Sequence, residues 1–290
     1  MAYSVISRKD IVIQERDAFA DKNSARVAII SGSSEYYGAP SIASNAALNS
    51  LAALRAGSGY VHTLVPESIL DLVRKFSPNM VVNAIGKDTI RFNEKSKSAI
   101  QKADAVIIGM GIGKSKKAFA EAKKILDFCI AEGKKVLLDA EAINLIKEHR
   151  NHSVSAKNTV ITPHDGEFFR LSGIKVSKRS IEERANAAMD AAERFNVCVV
   201  LKGHITAISD GELTKVNVSK NPALATMGSG DALSGIIGAM MSLKLSTIDS
   251  SVTGVYIHSM IGESLYRKKG EHVIAMDIID EIPAIMKRYV

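Results

Sequence analysis

Short apolar runs recur along this 290-residue chain, separated by stretches with helical periodicity, and that alternation constrains the fold most. The runs are Val27–Ser31, Tyr60–Val65, Met80–Ile85, Ala105–Ile108, Val136–Leu138, Thr159–Thr162 and Val197–Leu201. Apolar runs this short, bounded by polar or glycine residues, read as buried strands. Between the first two, Ile42, Ala46, Ala47, Leu51 and Leu54 mark one helical face, which Gly57 ends. Ala118, Ala122, Ile125, Leu126 and Cys129 mark another, ended by Gly133. Glu67–Phe76 reads as a helix, and Ser180 with Glu183 forms a capping-box pattern for a helix to about Phe195. Strand–helix–strand repetition at this spacing predicts a parallel sheet in an α/β fold. Asp210-Gly211, between Ile205–Ser209 and Glu212–Val218, predicts a hairpin, so antiparallel strands join the sheet late. Two helices, roughly Thr247–Arg267 and Met276–Arg288, close the chain.

No linker or repeat divides the sequence, so a single domain over residues 1–290 is expected. The N-terminal residues lack a signal-peptide pattern, and no run of about 18 apolar residues predicts a membrane span. A cytoplasmic protein is the default expectation. Cys129 and Cys198 lie in apolar patterns and read as reduced core residues. The net charge of +7 suits polyanionic ligands. Lys and Arg are spread along helices, with no basic block interleaved with aromatics, so nucleic acid is not an expected partner.

Ligands of open α/β sheets bind outside the carboxyl ends of the parallel strands. That rule groups the segments after Ile30, Ile108, Leu138, Ile161 and Leu201 on one edge. Asn221–Ser242 stands out as a candidate to join them. Its second half places Leu233, Ile236, Ile237, Met240 and Met241 on one helical stripe. Thr226–Asp231 therefore lies where a loop becomes a helix, and the unpaired amides and dipole there suit an anion. Met227, Gly228, Ser229 and Gly230 would line that anion hole, with Asp231 the ionisable group in the turn. A plain helix cap is the competing reading. Gly109–Ser115 (GMGIGKS) is one residue short of a P-loop and reads as a tight glycine turn. His164, in Thr162–Glu167, is placed to contact a ligand at the sheet edge or to cap a helix. Glu167 would hold a metal-bound water or start that helix. Lys202–Thr206 suits a nucleotide edge, with Lys202 for a phosphate, or is a simple strand end.

Taken together, Tyr36–Pro40, Leu54–Gly59, Gly109–Gly113, Leu138–Asn144, Thr162–Glu167, Leu201–Gly203 and Asn221–Asp231 resemble the NAD(P)H-hydrate dehydratase family of the ribokinase-like superfamily. The resemblance implies a ribokinase-like three-layer α/β/α fold. It implies ADP or ATP as phosphoryl donor, Mg²⁺, and hydrated NADH or NADPH as substrate. Phosphorylation of the ring hydroxyl and elimination of phosphate would restore the reduced cofactor. By the same resemblance, Ala39, Gly111, His164 and Asp231 would contact the hydrated dinucleotide. Lys202, Gly203, His204, Ile205, Thr206 and Gly230 would bind the donor nucleotide. Asp231 would be the general base.

Relatives commonly have glycine where this chain has Met227, proline at Met110 and aspartate at Glu141. Met227 requires either a negative φ there or an altered anion hole. With 26 residues before Val27, the resemblance leaves no room for the N-terminal epimerase domain of bifunctional relatives, so a separate epimerase is the expected partner. A dimer or tetramer is implied likewise. Two other readings remain open: a kinase of a small vitamin-precursor alcohol, and a catalytically silent nucleotide-binding protein.

Overall fold

The computed structural model describes residues 3–14, 19–34, 39–149, 158–219 and 221–289. Among the described residues ten strands form one sheet: β1 (Ser4–Val5), β2 (Arg26–Ile30), β3 (Tyr60–Val65), β4 (Val81–Ala84), β5 (Ala105–Ile108), β6 (Lys135–Leu138), β7 (Thr159–Ile161), β8 (Cys198–Leu201), β9 (Ile205–Ser209) and β10 (Thr214–Val218). Their spatial order is β1-β10-β9-β8-β7-β6-β5-β2-β3-β4. From β4 through β8 every neighbouring pair is parallel. β9 runs antiparallel to both β8 and β10, as the hairpin signal predicts. Two-residue β1 pairs with β10 and carries no sequence signal, being too short for a period to register.

The helices are α1 (Ala39–Arg55), α2 (Glu67–Arg74), α3 (Glu94–Lys102), α4 (Lys116–Ala131), α5 (Asp165–Ser172), α6 (Ile181–Phe195), α7 (Ser229–Ser242), α8 (Thr247–Lys269) and α9 (Ala275–Met286). Side chains alternate across a strand, so each apolar run feeds both faces of the sheet. Val27, Ile29, Ile107, Leu137 and Val200 pack with α1, α7, α8 and α9 on one side. Ala28, Ile30, Ile108, Leu138 and Val199 pack with α3, α4, α5 and α6 on the other. The expected three layers result, and the strands are apolar throughout because both faces are covered. Cys129 and Cys198 are buried free thiols, and burial pushes each up to about 12. No helix among the described residues is long and apolar enough to cross a membrane.

Two local details differ from the sequence reading. The hairpin loop is four residues, Asp210 to Leu213, because Thr214 pairs with Ser209. Asp210 Oδ1 closes it by accepting from the amides of Glu212 and Leu213, at 3.0 and 2.8 Å. At α6, Ser180 Oγ accepts from the Glu183 amide, but Glu183 Oε1 accepts from the Ser177 amide, so only half of the capping box forms.

Candidate active site

Backbone pairing continues past the strand ends and gathers the loops on one edge. Asp139 N donates to Ile108 O (3.0 Å), Thr162 N to Leu138 O (3.2 Å) and Lys202 N to Pro163 O (2.8 Å). Asp139, His164 and Lys202 are thereby brought to the same carboxyl edge. The start of α7 meets them there. Gly228 turns the chain into α7 with φ 85°. A Cβ at Gly228 would stand 2.6 Å from Leu48 Cδ1 and 2.9 Å from Ala275 Cβ, so glycine is required there on two counts. Met227 is not among the residues of positive φ, and its side chain is 83% exposed. The turn thus accommodates methionine without strain, and the left-handed position belongs to its neighbour.

Charges concentrate at this junction. Asp139, 4% exposed, accepts at Oδ1 from Lys202 Nζ (2.9 Å) and from Ala140 N (2.9 Å), and at Oδ2 from Ser234 Oγ (2.7 Å). Burial opposes its ionisation, but the Lys202 ammonium and these hydrogen bonds hold it below the usual carboxylate range. Burial likewise opposes the Lys202 charge, and the carboxylates of Asp139 and Glu167 outweigh it, so the ammonium is raised. Asp231, in the first turn of α7, accepts from Asn49 Nδ2 at 3.3 Å. Burial, reinforced by the Asp139 carboxylate, pushes Asp231 up to about 7 against the pull of Lys202 and Asn49. Burial, with Asp139 again adding, also raises Glu167.

A cavity of about 600 Å³ opens beside the start of α7, between the β9–β10 side of the sheet and α8. His164, Lys202, Gly203, His204, Thr206, Ser229 and Gly230 line it, with Asn217, Asn221, Val255 and His258. Most of the residues expected at a nucleotide therefore share one wall. Ile205 departs from that expectation. Its side chain is 4% exposed in the core, and its carbonyl accepts from Arg184 Nε at 2.6 Å, because strand alternation turns it away from the cavity.

His164 does two things. Its Nδ1 accepts from Gly166 N (3.0 Å) and Glu167 N (3.4 Å), and Glu167 Oε2 accepts from His164 N (2.9 Å), which caps α5. The ring also borders the cavity. Gly111 lies in the turn after β5 with φ 66°. Ala39 opens α1, while Tyr36, Tyr37 and Gly38 of its motif lie outside the described residues. Gly109–Ser115 is the glycine turn expected rather than a phosphate cradle. A Cβ at Gly109 would stand 1.9 Å from Asp139 O, and Ser115 Oγ caps α4 by accepting from Ala118 N (3.2 Å). Met110 is buried, and its carbonyl accepts from Gly32 N and Ser31 Oγ.

Four residues of this neighbourhood escaped the sequence reading: Asp139, Asn49, His258 and Arg184. Asp139 had a signal, a lone acid closing an apolar strand. Ser234 holds Asp139 in place, its hydroxyl donating to Oδ2. His258 sits in α8 with Nε2 3.2 Å from Ser229 Oγ, and burial drives it down to about 4, so it is neutral at pH 7. Arg184 interrupts the buried stripe formed by Ala188, Ala191, Ala192 and Phe195, a pattern visible in sequence once the inner face of α6 is known.

A sequence profile of NAD(P)H-hydrate dehydratases matches residues 27–284, nearly the whole chain. The chain belongs to the NAD(P)H-hydrate dehydratase family. An ADP-dependent (S)-NAD(P)H-hydrate dehydratase of Cenarchaeum symbiosum is 32% identical over 286 residues, covering 97% of this chain and 95% of the relative. One of Nitrosopumilus maritimus is 33% identical over 268 residues, covering 91% and 88%. A crystal structure of a ribokinase-like superfamily protein from Enterococcus faecalis is 26% identical, covers 99% of this chain and 96% of its own, and superposes with a TM-score of 0.79. As in other ribokinase-like folds, the sheet is mostly parallel. Of the seven motifs that resemble NAD(P)H-hydrate dehydratases, those around Gly111, Asp139, His164, Lys202 and Asp231 converge on one sheet edge.

Proposed function

We propose that this protein is an ADP-dependent (S)-NAD(P)H-hydrate dehydratase that repairs hydrated nicotinamide cofactors. The observation that carries this reading is Asp231, a buried carboxyl near neutrality, at a helix N-terminus beside Lys202 and the cavity. The cavity takes the donor nucleotide, whose phosphates face Lys202, Gly203, His204, Thr206 and Gly230. Amides of Gly228 and Gly230 and the dipole of α7 stabilise the transferring phosphoryl group, while the Ser229 amide closes the turn onto Thr226 O. The hydrated ring lies on the other side of Asp231, toward Ala39 and Gly111, with His164, which also borders the cavity, reached by both ligands. Asp231 removes the proton of the ring hydroxyl as its oxygen bonds to phosphorus, and the nucleoside monophosphate leaves. Expulsion of phosphate from the ring, with loss of a proton from the adjacent ring carbon, then restores the double bond. Positioning and charge stabilisation dominate such a transfer.

Magnesium fits this donor set only loosely. Among the described residues no group of three or more His, Cys, Asp or Glu is placed to hold a metal, so Glu167 would reach one through water and phosphates would supply most ligands. When bound, Mg²⁺ neutralises phosphate charge. A separate epimerase, acting on the same substrate, completes the proposed repair, and a homo-oligomer in the cytoplasm remains part of this reading.

The test is direct. The protein is mixed with hydrated NADH, Mg²⁺ and either ADP or ATP, and near-ultraviolet absorbance of reduced nicotinamide is followed. Recovery with ADP is expected. Folded protein giving no recovery with either donor removes the reading.

A further inference from the structure

Arg184 has the largest fully buried side chain among the described residues, at 1% exposure on α6. Arginine is almost never buried unless its charge is paired, and a leucine or methionine would fill such a site with no charge to desolvate. Four of the five guanidinium N–H groups have acceptors. Nε donates to Ile205 O (2.6 Å), Nη2 to Lys202 O (2.9 Å) and Leu201 O (3.3 Å), and Nη1 to Asp165 Oδ1 (2.8 Å). A Cβ at Gly203 would stand 2.7 Å from Nη2, so the glycine of this loop is fitted to the guanidinium.

The consequence lies on the other side of the loop. His204 O accepts from Ser219 N (2.8 Å) and Gly203 O from Thr206 Oγ1 (2.9 Å). Every carbonyl from Leu201 to Ile205 therefore has a protein donor, and three of the five point at Arg184. A carbonyl facing the cavity would repel a phosphate. Drawing three of them back to Arg184 and satisfying the other two leaves the Lys202 ammonium as the charge on the cavity wall, the polarity an anion needs. Asp165 extends the effect. It sits beside His164 in the neighbouring turn, which already pairs with the loop through Lys202 N and Pro163 O (2.8 Å).

We propose that Arg184 is a positioning residue for the donor nucleotide, shaping the Lys202–Ile205 loop from behind and, through Asp165, locking it to the His164 turn. The proposal rests on the assignment of the cavity to a nucleotide. Lysine at this position keeps the charge but loses the planar fork that reaches three carbonyls and a carboxylate.

The experiment measures ADP binding by calorimetry for wild type, Arg184→Lys and Asp165→Asn, with thermal melts and steady-state kinetics on the same samples. Arg184→Lys is expected to weaken ADP about tenfold, the equivalent of one lost hydrogen bond to a charged group. KM for ADP should rise in step, while kcat at saturating ADP stays within about threefold, as loss of uniform binding requires. A folded Arg184→Lys that binds ADP as tightly as wild type overturns the proposal, and so does a fall in kcat alone. If Arg184→Lys does not fold, Asp165→Asn decides. Several-fold weaker ADP binding supports the loop lock, and unchanged affinity overturns it. Wild type that does not bind ADP overturns the nucleotide assignment and this inference with it, an outcome distinct from the variant results.

Discussion

A carboxyl held near neutrality by burial makes a stronger base than a solvated one, and it is also a strained guest in the folded state. Asp231 shows both sides. At about 7 it lies far above the usual value of 3.8, with burial the largest cause. Turnover should therefore follow an acid limb near pH 7, read as the pH dependence of kcat/KM, because the base must be ionised. A limb near pH 4 would assign the proton transfer to a different group. The stability sign is opposite. With its folded value above its unfolded one, the group favours folding fully below pH 4, and that contribution is lost as pH rises through 7. Asp231→Asn should thus melt a few degrees higher than wild type at pH 8 and equally at pH 4. It should also lose at least about 10²-fold in kcat while still binding ADP. The position was legible in sequence because a glycine-rich turn, an acid and an apolar helical stripe stand together in one segment, whereas the role of base came only with the family resemblance. Asn49, Arg184 and His258 were not legible, since their significance lies in partners 182, 21 and 29 positions away.

Elements matter here through how closely they approach. α1 carries Asn49 and α7 carries Asp231, and the two helices touch at Gly235. A Cβ there would stand 2.5 Å from Asn49 O, 2.7 Å from Ala52 Cβ and 3.2 Å from Ala53 N. Two of these are backbone atoms, so the helices themselves must part. Gly235→Ala should destabilise the protein by about 1–3 kcal/mol in denaturant unfolding and lower activity with it, since overpacking here shifts Asn49 against Asp231. A stability change with full activity would show that the Asn49–Asp231 contact does not matter to turnover. At Gly238 an added Cβ would collide with Ile107 Cδ1, so this glycine makes the matching contact with the sheet. Strand–helix alternation announced the parallel sheet because it is periodic. The hairpin loop length was missed because Asp210-Gly211 fits a two-residue turn locally. Pairing of Thr214 with Ser209 is a property of the assembled sheet.

Across the whole molecule, the order of strands makes neighbours of residues far apart in the chain. Asp139, His164, Lys202 and Asp231 come from four successive segments, yet Lys202 pairs directly with Asp139 over 63 positions. A parallel sheet puts every loop of this kind on its carboxyl edge, which is why the edge was legible and the individual contacts were not. The cavity flanks this junction on the β9–β10 side, leaving the Gly111 side for a second ligand. A ligand that binds only the folded state stabilises it by about 2.7 kcal/mol at a hundredfold excess over Kd. For a chain of this size ADP should raise the melting temperature by roughly 4–5 °C at that excess. The rise should shrink as salt increases, because the recognised group is a polyanion meeting a lysine and helix amides. Asp231→Asn should keep the full shift, since the proposed arrangement turns Asp231 to the acceptor and a carboxylate repels phosphate. Loss of the shift in that variant would move the nucleotide across Asp231, to the side assigned to the hydrated ring.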